Sequence, residues 1–69
     1  MSGRRLTQDE YKDLQRTVNQ AIDRLDELNL YRQEFIENMF NNFADHEEDI
    51  VLTDAQIEMI RKVGDELGL

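Results

Sequence analysis

Between Thr7 and Ala44 neither glycine nor proline interrupts the chain, and its apolar residues recur at helical spacing almost throughout. Tyr11, Leu14, Val18, Ala21, Leu25 and Leu28 follow one another at steps of three, four, three, four and three. That alternation places all six side chains on one seam of an α-helix. At about 1.5–3 kcal/mol each for full burial, six such residues present too much apolar surface to leave in water. Whatever this chain folds into must therefore cover that seam.

The helix start is spelled out locally. In Leu6-Thr7-Gln8-Asp9-Glu10-Tyr11, Thr7 is the N-cap, Glu10 can accept from the Thr7 amide, and Leu6 can pack on Tyr11 as a hydrophobic staple. Leu52-Thr53-Asp54-Ala55-Gln56-Ile57 repeats the pattern, with Thr53 as cap and Gln56 closing the box. Two such starts imply at least two helices. The second is expected over about residues 53–67, with Gly68 suited to the left-handed position that follows a helix end.

Past Leu28 the heptad frame loses its simple form. Phe35 and Met39 return to the first seam, while Ile36, Phe40 and Phe43 form a second row beside it. Two rows imply two partners. The expected hairpin core is Phe35, Ile36, Met39, Phe40, Phe43, Ile57, Ile60, Val63 and Leu67, with Gly64 letting the two backbones approach closely.

The fold class expected from these features is all-α: a long coiled-coil-like helix over about residues 8–44, a loop over about 45–52 and a short antiparallel C-terminal helix. Residues 1–6 are expected as a flexible arm and residues 7–69 as a single helical domain. At 1.5 Å per residue the first helix would be ~55 Å long and its hairpin partner ~22 Å. Nothing in the same chain would then cover Tyr11 to Leu28, so a homodimer through that seam is expected. In the alternative, the helix breaks near Asn29, which can serve as both C-cap and N-cap. Residues 8–28, 31–44 and 53–67 then fold into a monomeric three-helix bundle.

Sixty-nine residues form one small domain with no cysteine and a single histidine, His46. Disulfides and conventional zinc sites are thereby excluded. No apolar run approaches the ~20 residues of a membrane span, and no signal-peptide core is present. A cytoplasmic location and no membrane partner are expected.

Charge is segregated. The net charge is −8, and the stretch from Gln33 to Ile60 holds Glu34, Glu37, Asp45, Glu47, Glu48, Asp49, Asp54 and Glu58 with no lysine or arginine. The other residues hold eight acids against eight bases, so this one region carries the whole excess. It should repel nucleic acid phosphate and attract a basic protein surface. Arg4, Arg5, Lys12 and Arg16 are the candidate residues for the opposing reading, a nucleic-acid-binding module, but Asp9, Glu10 and Asp13 dilute them.

No constellation of residues supplies a nucleophile, a base or a cofactor cradle, so neither an enzyme nor a cofactor is expected. Asp45-His46-Glu47-Glu48-Asp49 invites comparison with a calcium loop, but its sixth position is Ile50 in place of glycine and its twelfth is Gln56 in place of glutamate. A solvated loop accounts for these residues.

The segment from Phe35-Ile36-Glu37-Asn38-Met39 through Leu52-Thr53-Asp54-Ala55-Gln56-Ile57 to Ile60 resembles the helical hairpin of small bacteriophage-encoded accessory proteins. The resemblance implies a phage-type accessory protein that binds a host or viral enzyme in the host cytoplasm. The expected function is thus a non-catalytic acidic interaction or regulatory module, with a structural coiled-coil assembly or tethering protein as the alternative.

Overall fold

The long apolar seam is covered from within the chain. In the computed structural model, which describes residues 3–69, three helices run over Gln8–Ile22 (α1), Leu30–His46 (α2) and Asp54–Leu67 (α3). Two short strands, Arg4–Arg5 (β1) and Val51–Leu52 (β2), pair antiparallel with Arg4 opposite Leu52 and Arg5 opposite Val51. The fold is all-α apart from that clasp. Its extents of 29 × 23 × 20 Å leave no room for an unbroken rod of ~55 Å.

Both threonine caps form as the sequence predicts. Thr7 accepts from the Glu10 amide at 3.1 Å while Glu10 accepts from the Thr7 amide at 3.0 Å. Thr53 and Gln56 exchange the same pair at 3.1 and 2.9 Å. Gly68 takes φ 73° after α3, and the Leu69 amide donates to the Gly64 carbonyl at 2.8 Å, which closes that helix end.

The expected helix over residues 8–44 is broken, and the three-helix alternative describes the molecule. α1 stops at Ile22, Asp23 is its C-cap, and the chain makes a 3-10 turn at Leu25–Glu27 before Leu28 becomes extended. The Arg24 guanidinium braces the turn with two hydrogen bonds to Glu27, at 2.7 and 2.9 Å. Asn29 caps only the following helix, accepting from the Arg32 amide at 2.9 Å, while the Gln33 side chain donates to the Leu28 carbonyl at 2.8 Å. Such a break needs no glycine or proline, because every residue in it before Asn29 has an ordinary negative φ. Folding back pairs the seam with the chain's own apolar residues.

Two clusters make up the core. Leu14, Val18, Met39, Phe43, Ile50, Leu52, Ile57 and Ile60 fill one end, and Ala21, Leu28, Ile36, Val63 and Leu67 fill the other. α1 and α3 run from the first cluster to the second and α2 runs back, so the bundle is up-down-up. α1 is its centre, packing closely on both other helices. Gly64 is buried against α1, where an added Cβ would lie 3.0 Å from the Thr17 methyl. Its expected close approach therefore occurs, but to α1 instead of α2.

Four further expectations are corrected. Leu14, Val18, Ala21 and Leu28 of the dimer seam are buried inside the single chain, and Tyr11 and Leu25 are half-buried against its core. The Tyr11 and Phe43 rings, for example, meet at 5.7 Å between centroids. The seam is thus spent mainly on the chain's own core, with only parts of Tyr11 and Leu25 left in solvent. Phe40, expected in the hairpin core, is 38% exposed, because the buried line of α2 is Ile36, Met39 and Phe43 and Phe40 turns to its rim. Phe35 is half-buried beside both clusters.

The flexible arm is the third. Met1 and Ser2 lie outside the described residues, but Arg4 and Arg5 are paired in β1 and Leu6 packs on the core. A Cβ on Gly3 would sit 2.5 Å from the Leu52 carbonyl carbon, so only glycine lets the arm lie this close. The expected loop is likewise ordered by Ile50 and Leu52, each 1% exposed.

Asn29→Ala tests the break by its sign. Loss of the cap is expected to destabilise the protein by about 1 kcal/mol, whereas alanine within an unbroken helix would stabilise it by a few tenths. Urea unfolding of the two proteins decides between them.

Candidate interaction surface

The acidic stretch contributes its side chains from three places. Glu34 and Glu37 project from the exposed face of α2, opposite Ile36, Met39 and Phe43. Asp45, Glu47, Glu48 and Asp49 crowd the end of α2 and the 3-10 turn at Glu47–Asp49. Asp54 and Glu58 lie on the exposed face of α3, where Arg61 and Lys62 follow one helical turn later. All eight are solvent-exposed.

The N-terminal arginines reach into this region, which sequence position alone does not disclose. The Arg5 guanidinium lies 2.7 Å from the Asp49 carboxylate, and Arg4 bridges Glu10 at 2.8 Å and Asp54 at 3.3 Å. The strand pairing of β1 with β2 carries them there. Two of the eight candidate acids are thereby engaged. Among the described residues, Glu34, Glu37, Asp45, Glu47, Glu48 and Glu58 have no ion-pair partner. Arg32, the one arginine of α2, is paired with Glu66 of α3 and turned away from the outer face. Arg4 and Arg5 are thus held by acids, while Lys12 and Arg16 stand on the exposed face of α1.

Glu10 is the acid on which the clasp and the α1 cap meet. Hydrogen bonds from the Arg4 guanidinium, and after them the one from the Thr7 amide, hold its carboxyl down to about 2 from an ordinary 4.5. The Arg4 guanidinium is correspondingly held further in its charged form by Glu10 and Asp54. A similar pairing lowers Glu27 beside Arg24.

Glu47 is where the acidic turn departs from ordinary backbone. It has φ 49° and ψ −130°, a region that suits glycine and costs other residues about 1–3 kcal/mol. Its amide nonetheless donates to the Phe43 carbonyl and its carbonyl accepts from Ile50 at 3.1 Å, so the turn ends α2 and aims Ile50 into the core. No group of three or more His, Asp or Glu side chains suited to a metal ion assembles among the described residues. Among the described residues no charged or polar side chain is buried.

A shallow recess of about 340 Å³ lies between α1 and α3, lined by Asp13, Thr17, Arg61, Gly64, Asp65 and Leu69. The Arg61–Asp13 pair, 3.5 Å apart, spans it. None of the eight acids lines it.

Two of the exposed apolar residues were not assigned to any site in the sequence reading. Leu30 and Tyr31, 78% and 69% exposed, stand in the first turn of α2. Their signal was the loss of the heptad frame between Leu28 and Tyr31; continued, that frame sets Leu30 outside the seam and gives no direction for Tyr31.

Comparison of the chain with protein-family models, with curated proteins and with solved structures gives no match. No helix among the described residues is long and apolar enough to cross a membrane.

Two outcomes check this geometry. Glu47→Gly is expected to stabilise the protein by about 1 kcal/mol, by relief of the strained backbone, read as a higher urea midpoint. A lower midpoint would contradict the positive φ. For Glu10 the folded pKa lies below the unfolded one, so its contribution is complete above about 4.5 and is lost as the pH falls toward about 2. Carboxyl NMR titration should place the Glu10 midpoint near 2, and Arg4→Gln should move it toward 4.5. An unmoved midpoint would break the assignment of the clasp.

Proposed function

We propose that this protein is a non-catalytic acidic interaction module that docks on a basic protein surface. The observation that carries this reading is the set of unpaired, exposed acids at Glu34, Glu37, Asp45, Glu47 and Glu48. Fixed on a helix and the braced turn that follows it, they project negative charge without a large ordering cost. A basic partner is steered toward such a surface and held by the same charges.

The eight acids first assigned to the surface reduce to a smaller group in this reading. Asp49 and Asp54 serve the N-terminal clasp, and Glu58 shares its face with Arg61 and Lys62. A nucleic-acid role is less well supported, because Arg4 and Arg5 already contact carboxylates. The structural coiled-coil reading loses its motivating surface, since the seam is spent inside the bundle. An accessory role of bacteriophage type in the host cytoplasm belongs to the same proposal and rests on the resemblance of the segment from Phe35 to Ile60.

Partner capture from a lysate of the source or host cell, with wild type beside a Glu34→Gln, Glu37→Gln, Glu47→Gln, Glu48→Gln variant, is the test. Wild type alone should recover a basic protein, with helicity by circular dichroism equal in the two. Equal recovery by both proteins would sink the acidic docking surface.

A further inference from the structure

The outer face of α2 changes character along its length in a way that the exposed faces of α1 and α3 do not. It begins with Leu30 and Tyr31, continues through Glu34, Glu37, Asn38 and Asn41, and ends at Asp45, all of them exposed. At 3.6 residues per turn positions 30, 34, 37, 41 and 45 return to one line, roughly 22 Å long. The outer faces of α1 and α3 instead mix signs, with Lys12, Asp13 and Arg16 on one and Glu58, Arg61 and Lys62 on the other. On α2 the single arginine is withdrawn by its pair with Glu66. The stripe is therefore apolar at one end, and beyond it carries acids and asparagines with no cation.

Leu30 and Tyr31 have no role in the core that would explain them. The first turn of a helix favours acids at its positive end, and two large apolar side chains in water there are surface available to a partner. The occupant follows from charge. A second copy laid on this face would set carboxylate against carboxylate in one orientation and Leu30 against Asp45 in the other. A cationic partner meets neither conflict. Glu34 and Glu37 are separated by about 4.5 Å along the axis, a repeat that the i, i+3 positions of another helix match. An extended strand repeats on one face only every ~6.7 Å.

We propose that the outer face of α2 binds a cationic amphipathic helix of a partner protein. Apolar residues at one end of that helix seat on Leu30 and Tyr31, and its lysines or arginines range along Glu34, Glu37 and Asp45. This rests on the acidic docking reading and narrows it to one face with an apolar anchor.

The probe is a synthetic helical peptide of about five turns, with lysines on one face and leucines gathered at one end. A peptide of the same composition with its leucines dispersed serves as the control. The protein is isotope-labelled at nitrogen and its amide shifts are followed during titration. Wild type should bind the first peptide saturably, with shift changes centred on residues 30–45. Leu30→Ser with Tyr31→Ser should weaken binding about tenfold or more, given the apolar area removed, as should dispersal of the leucines. Val51→Ser, at an exposed apolar site off the stripe, should leave binding unchanged, and circular dichroism should show all variants folded. Should Glu34→Gln with Glu37→Gln abolish binding while the serine pair leaves it intact, the anchor is overturned and acidic docking stands. Shifts centred on Glu58 or on the Glu47–Asp49 turn would overturn the choice of face, and no binding by wild type would overturn the helix partner altogether.

Discussion

Leu14, Val18 and Ala21, each at most 1% exposed, form the line on α1 against which everything else is packed. α2 and α3 both lie on this helix, so its apolar side is wide enough to receive two neighbours. Small residues make that possible where the helices converge, Ala21 on one side and Gly64 against Thr17 on the other. A chain of this size has little core to spare. Turning the seam inward satisfies it without a second subunit.

The remaining order in the molecule comes from joining segments far apart in sequence. β1 adds Leu6 to the rim of the core and covers the backbone of β2, and Arg4 and Arg5 tie it to Glu10, Asp49 and Asp54. These pairs are exposed, so each contributes modestly and is screened by salt. Their greater consequence is for the surface field. The acids near the clasp are partly neutralised, while those on the outer side of α2 are not, and the negative potential is displaced toward that helix.

Much of this was legible in the residues. The two capping boxes and the glycine after α3 form as read, because a helix end is decided by side chains within a few positions of it. The buried sets of α2 and α3 were also largely legible, with Phe40 as the error. The seam on α1 was identified residue by residue, yet its cover was misassigned, since heptad spacing is the same whether the partner helix belongs to another chain or returns from the same one. The break at Asp23–Leu28 lacks glycine and proline and is visible only through Asn29 and the faltering of the frame. Contacts of Arg4 and Arg5 with Asp54 and Asp49 have no periodic signature at all. For the surface, composition found the acids but could not tell those that are engaged from those left free, and the heptad frame set Leu30 outside the seam without showing that Tyr31 stands exposed beside it.

Phe35 belongs to neither half of the core alone. Its half-buried ring touches the cluster around Leu14 and Phe43 as well as the one around Ala21 and Val63. Two small apolar clusters joined weakly would open independently, each with its own low free energy. A shared aromatic ring makes loosening of one cluster a loss to the other, which favours opening of the two together over opening of either alone. Where one helix carries unpaired acids on its outer face, that coupling ties it to both halves of the core.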